Sequence, residues 1–336
     1  MKIALVTTTI NVPHVLALYR ACPPAVAFLV AMDEKTPQEA YDFCKAIPDC
    51  FVYSPDHGAW KCSSLIGNNT VARRSIAILE ALRWGAEIIV TTDDDNFLLS
   101  SYYFYNFEKL FSAHHPNFHG LQSVGDWFDP GLLLAPPASH RGFPHDKTGS
   151  LAFEPVVGAK VGVAAGLVLG DPDVSAATRI ALKPTVLGVS ELGRAGIVVD
   201  PRKTRTVFNS QNTAFVRELA PCFLMCPQFG RYDDILASLA AQRVMRERGY
   251  VVHYGKPFAW QQRNSHDLLK DLAAEQWGQE HLVAFAGYLD SIEFAPGATV
   301  SEMVHTIWHT GRNGDLLAGT YSLADAWLED CARAMS

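Results

Sequence analysis

Three consecutive carboxylates, Asp93-Asp94-Asp95, follow directly on the apolar run Ile88-Ile89-Val90 and two threonines. Acids crowded at a buried strand end repel one another and lose hydration, so the placement calls for a compensating cation or for solvent. Mg²⁺ and Mn²⁺ take oxygen ligands and leave positions for phosphates, which suits this turn. In an extended segment the first and third side chains point to one side. Asp93 and Asp95 are therefore the expected metal ligands, with Asp93 and Asp94 also facing a bound diphosphate. A solvated acidic turn that caps the following helix is the plain alternative.

A second pair stands in Phe229-Gly230-Arg231-Tyr232-Asp233-Asp234. One aspartate at a helix start is explained by capping and the helix dipole. Two, beside Arg231 and Tyr232, suggest that Asp233 or Asp234 acts as a general base on a hydroxyl. Gly67-Asn68-Asn69-Thr70 precedes a helix carrying Arg73 and Arg74. Such a turn can offer free backbone N–H groups to an anion, so Asn69, Arg73 and Arg74 are candidate diphosphate contacts. Thr8, in the polar turn after the first strand, joins them, as do Lys256 and Arg263. His266 is the candidate third metal ligand, and His253 its rival. Cys222 and Cys226 read as core thiols, since no second thiol pair follows.

The elements that must position these groups are legible in outline. Strands are expected at 3–7, 26–32, 51–53 and 88–90, with a helix over 70–84 closed by Gly85. Strand, turn and helix in alternation describe an α/β protein with a mostly parallel central sheet flanked by helices. Such sheets collect ligands at the carboxyl ends of their strands, where the acidic turn falls. Further on, strands are expected within 161–169, at 206–208 and at 251–254, and helices over 174–181, 233–247 and 266–280, with a helical tail. The Pro-, Gly- and His-rich stretch 114–147 reads as loops over the substrate. The division is 1–280 as catalytic domain, its 1–110 half binding nucleotide and its 111–280 half facing the acceptor, with 281–336 a helical extension.

Bulk properties exclude several classes. With 336 residues, 49% of them hydrophobic, the chain can bury a large core. Its formal charge of -7 gives no global field toward nucleic acid or an anionic membrane. No stretch reads as a membrane span or a signal peptide, and seven scattered cysteines read as reduced thiols, so a cytoplasmic protein is expected. There is no Walker motif, no HExxH, no Gly-x-Ser-x-Gly and no Gly-x-Gly-x-x-Gly after the first strand.

Four segments together resemble the reversibly glycosylated polypeptide and UDP-arabinopyranose mutase family and the related STELLO-type glycosyltransferases. They are Ile89 to Asn96, Gly166 to Asp173, Asn212 to Phe215 and Phe229 to Asp234. The resemblance implies a GT-A type fold, a nucleoside diphosphate sugar as donor, and Mn²⁺ or Mg²⁺ at the triple acid. It places Asp93 near the ribose or the metal and Asp95 on the metal. The region after Asp129 departs from the mutase pattern, and the arginine that becomes glycosylated in that branch has no match. The expected activity is metal-dependent transfer of a sugar from a nucleoside diphosphate sugar to a small-molecule or glycan hydroxyl. A pyranose/furanose mutase, a nucleotidyltransferase and a catalytically silent nucleotide-sugar binder are the alternatives.

Overall fold

The computed structural model describes residues 1–111, 118–149, 151–264, 266–310, 317 and 319–336. Its centre is a ten-stranded sheet. In chain order the strands are β1 (Ile3–Thr9), β2 (Ala27–Met32), β3 (Cys50–Tyr53), β4 (Ile88–Thr92), β5 (Asn96–Leu98), β6 (Phe118–Val124), β7 (Ala152–Gly170), β8 (Ile197–Val199), β9 (Asn212–Val216) and β10 (Tyr250–Gln261). Across the sheet they run β3-β2-β1-β4-β9-β7-β6-β8-β10-β5, and β7 also pairs with β10. The four strands from β3 to β4 are parallel, as the strand-helix rhythm requires. Beyond β4 the sheet is mixed: β9 lies antiparallel to both β4 and β7.

Alternate residues of the buried strands feed two cores. Ala4, Val6 and Ile89 face one side, where α3 (Arg74–Trp84) packs on the sheet and the same core extends into α5 (Asp233–Arg248), α6 (Leu268–Asp290), α7 (Val300–His309) and α8 (Tyr321–Met335). Ile3, Leu5, Ile88 and Val90 face the other, under α1 (Val15–Arg20), α2 (Gln38–Lys45) and α4 (Tyr103–Phe111). This is a sheet flanked by helices, as expected.

Several boundaries differ from the sequence reading. The 161–169 segment is the inner part of one long bent strand, β7, which leaves β6 and joins β9 and β10. The polar stretch expected after 254 stays extended to Gln261, because β7 and β5 pair with it on either side. Only Arg205–Thr206 forms a strand near 206–208, in a short pair with Trp127–Phe128. Of the stretch expected as loops, 114–117 lies outside the described residues, and 118–124 is strand β6. Among the described residues no helix is long and apolar enough to cross a membrane.

Helix α3 is buried nearly all round, between the sheet and α8, despite its charged residues. Each of those residues has a specific partner. Glu80 accepts from the Trp60 Nε1 at 2.7 Å and contacts the His57 Nε2 at 2.9 Å. α8 closes this side. Trp327 is fully buried and its Nε1 donates to the Pro221 carbonyl at 2.9 Å, while the Asp330 carboxylate accepts from the Cys62 N–H at 2.8 Å.

α6 seats the second acid pair. Gly278 lies where a Cβ would come within 2.0 Å of the buried Tyr232 ring, so the helix packs glycine against tyrosine. Gly230 takes a positive φ of 54° as the chain kinks into α5, with the Ala274 carbonyl oxygen 2.6 Å from where a Cβ would stand. Gly278→Ala is expected to cost about 1–3 kcal/mol, since overpacking outweighs the gain in helix propensity. Urea denaturation measures this, and an unchanged midpoint would show that Tyr232 can yield.

Candidate functional site

The carboxyl ends of β1, β2 and β4 open onto a cleft of about 460 Å³. Thr8, Asp33, Asn69, Arg74, Asp93, Asp94, Asp95, Arg141, Asp173, Ser210, Asp233, Asp234, Arg263 and His266 are among the residues lining it. Both acid clusters therefore meet in one cavity, brought together by β9: the turn before it carries Ser210, and the strand pairs with β4.

Asp93 is held by Arg74, whose Nη2 stands 2.6 Å from its Oδ1. Arg74 is 2% exposed and its Nη1 also donates to the Ser210 carbonyl and hydroxyl. Asp94 accepts a short hydrogen bond from the Thr9 hydroxyl, and burial raises its pKa. Asp95 accepts from the Gln261 side chain at 3.1 Å and from the Asn264 N–H at 3.3 Å. Burial, then the charge of Asp93, push Asp95 up to about 6. Three carboxylates crowded in one turn, with burial raising the pKa of Asp94 and Asp95, offer hard oxygen donors to the cleft, and that donor set fits Mg²⁺ or Mn²⁺.

Ser210 joins this turn to the second. Its N–H and hydroxyl both donate to the Asp234 Oδ2, at 3.0 and 3.2 Å. Asp234 is also paired with Arg141, whose guanidinium binds Asp173 through two bonds of 2.9 Å and donates to the Arg231 carbonyl. Asn209 donates to the same Asp173. A continuous polar chain thus runs from Asp93 through Arg74, Ser210, Asp234 and Arg141 to Asp173. Burial alone would raise the Asp173 pKa, but Arg141 and then His140 hold it well below the usual carboxylate range.

Asp233 differs from its neighbour. One carboxylate oxygen accepts the Asp234 N–H at 2.8 Å, and the other is buried with no hydrogen-bond partner among the described residues. Burial first, and then Asp234, raise its pKa to about 7. That value is suited to a proton acceptor at neutral pH. The same shift costs stability. A carboxyl whose folded pKa lies above its unfolded value of about 3.9 stabilises the fold below that lower value, and the contribution is lost as pH rises through about 7. Asp233→Asn, a neutral isostere, is expected to melt above the wild type at pH 8, with the difference closing toward pH 4. Thermal melts across that range check this, and a pH-independent difference would deny the titration.

Some expected residues are elsewhere. Arg73 does not face the cleft: it points under the helix start, where its Nη1 donates to Ser63 and its Nη2 reaches the Ser54 carbonyl. A three-residue 3-10 turn, Val71–Arg73, precedes α3, and as neighbours at a helix start the two arginines point about 100° apart. Lys256 is exposed on β10 and is not among the lining residues. His253 is buried against Phe118, and burial lowers its pKa to about 3. His266 lines the cleft, but its Nδ1 lies 3.1 Å from Asp271 of α6. Among the described residues it makes no three-ligand group with Asp93 and Asp95. Arg263 lines the cleft beside Gln261 and 3.6 Å from Asp171. The turn at 67–70 does not leave its N–H groups free, because the Asp33 carboxylate accepts those of Asn69 and Thr70 at 2.6 and 3.1 Å.

Arg141, Asp173, Ser210 and Asp33 escaped the sequence reading as site residues. Asp173 stood inside a segment that carried the family resemblance, and Ser210 in a polar turn before a strand. Nothing local marked Arg141, which lies in the least patterned stretch.

No family model and no curated protein matches the chain. Among solved structures, it is similar to glucosyl-3-phosphoglycerate synthase from Mycobacterium tuberculosis in complex with Mn²⁺ and UDP-glucose, at 12% identity and a TM-score of 0.43, covering 88% of this chain and 80% of that one. The same synthase with phosphoglyceric acid gives 13% and 0.45, covering 85% and 80%. S. aureus TarS 1-349 in complex with UDP-GlcNAc gives 11% and 0.41, covering 100% and 82%. These are distant likenesses.

Proposed function

We propose that the protein is a metal-dependent glycosyltransferase of GT-A type that moves a sugar from a nucleoside diphosphate sugar to a hydroxyl acceptor. The observation that carries the reading is the meeting of Asp93-Asp94-Asp95 and Asp233-Asp234 in one cleft at the carboxyl ends of parallel strands. Both segments also carry the resemblance to the reversibly glycosylated polypeptide and STELLO-type proteins. Asp93 and Asp95 supply the oxygens for Mg²⁺ or Mn²⁺, whose chemistry there is to neutralise charge gathering on the leaving diphosphate. Arg74 orients Asp93, and Arg263, bonded to Gln261, adds positive charge to the cleft lining. Asp233, with its unpartnered oxygen, takes the proton of the acceptor hydroxyl. Asp234 is spent on Arg141 and Ser210 and holds the α5 start in place.

Calorimetric titration with a panel of nucleoside diphosphate sugars, each with Mn²⁺ and with chelator, tests the assignment. Metal-dependent binding of one donor, followed by transfer to an added acceptor, is the expected result. Isomerised nucleotide sugar formed from donor alone would replace the transferase by a mutase. Turnover of a nucleoside triphosphate with a sugar phosphate would replace it by a nucleotidyltransferase.

A further inference from the structure

His305 and His309 stand one turn apart on α7, and α8 brings Asp325 against them. The imidazole rings are stacked, with centroids 4.2 Å apart and planes inclined by 19°. The Asp325 Oδ1 lies 2.8 Å from the His309 Nε2 and 3.9 Å from the His305 Nε2. One ligand atom from each residue falls within 4.8 Å of the others. None of the three lines the cleft.

We propose that these three side chains bind one divalent transition-metal ion, Zn²⁺ being the best match, at a site separate from the acidic turn. Tetrahedral zinc, with bonds of about 2.0–2.2 Å to nitrogen and oxygen, places its ligand atoms about 3.3 Å apart. The two measured separations straddle that distance, so small side-chain adjustments complete the geometry. Histidines four apart on a helix present both imidazoles on one face. Two imidazoles with one carboxylate favour zinc, copper or nickel over the all-oxygen preference of magnesium. His305 and Asp325 are half exposed or more, which leaves the fourth position to water. The ion would link α7 to α8, the helix that carries Trp327 and Asp330 into the core, and so acts as a structural staple.

The test is ZnCl₂ titration of metal-free protein, read by calorimetry and by melting temperature, for wild type, His305→Ala/His309→Ala, Asp325→Ala and Asp95→Ala. A zinc equivalent that raises the melting temperature is expected in wild type and is retained in Asp95→Ala, apart from any zinc the acidic turn takes up. It should be lost in the double histidine variant and weakened in Asp325→Ala. Zinc binding that is unchanged in the double variant, or absent from wild type at micromolar zinc, overturns the proposal. Loss in Asp95→Ala alone would assign the zinc to the acidic turn and overturn it equally.

Discussion

Asp95→Ala is expected to lower metal-dependent turnover by at least about 10²-fold, the scale seen when one transition-state charge contact is removed, while leaving the fold intact. Among the described residues the Asp95 side chain accepts hydrogen bonds from the Gln261 side chain and the Asn264 N–H, both of which line the cleft, and it shares its turn with two like charges. Deleting it relieves repulsion and empties no core volume. The variant should therefore melt no lower than wild type in chelator, and should lose whatever stabilisation Mn²⁺ gives the wild type. Steady-state kinetics and melts with and without Mn²⁺ give both readouts. Full activity in the variant would sink the metal assignment at this turn, and a large drop in melting temperature would mean that the lost activity reports unfolding.

Arg141→Met carries the largest expected cost in stability, about 3–5 kcal/mol, because it strands two carboxylates that share one guanidinium. Arg141 and Asp173 are each 8% exposed and Asp234 is 12% exposed, so water cannot replace the lost charge. Arg141→Lys should recover only part of the loss, since an ammonium cannot repeat the two-pronged contact with Asp173 while also reaching Asp234. Adding Asp173→Asn to Arg141→Met should return a further part, since one stranded charge is then gone. Chemical denaturation of the four proteins decides this. A midpoint for Arg141→Met within about 0.5 kcal/mol of wild type, the range of ordinary surface changes, would remove Arg141 from the centre of the network.

The parallel half of the sheet and the acidic turn were legible in the sequence for one physical reason. A fully buried parallel strand must be an unbroken apolar run, and β1 and β4 are such runs with polar turns at their carboxyl ends. The helix starting at Asp233 announced itself through its acids and its terminal glycine. What could not be read was which of two adjacent arginines turns to the cleft, because successive helical residues point about 100° apart and only the packing decides that Arg73 goes to Ser63 and Arg74 to Asp93. The pairing of Arg141 with Asp173 and Asp234 was also hidden. It joins residues from a loop, a strand end and a helix start, and no periodicity encodes a contact between such places. The free N–H groups expected at 67–70 failed on a similar point, since Asp33 reaches across from the end of β2 to occupy them.

The closure of α3 by α8 bears on the order in which the chain can be completed during synthesis. The Cys62 N–H and one face of the 74–84 helix find partners in residues 321–335. A ribosome has made β1 to β4 and every side chain of the acidic turn long before it reaches Trp327. Until then the side of α3 that α8 covers is open, and the nascent amino-terminal segment carries an apolar surface of the kind that chaperones recognise. That side of α3 can therefore settle only after residues 321–335 have been made.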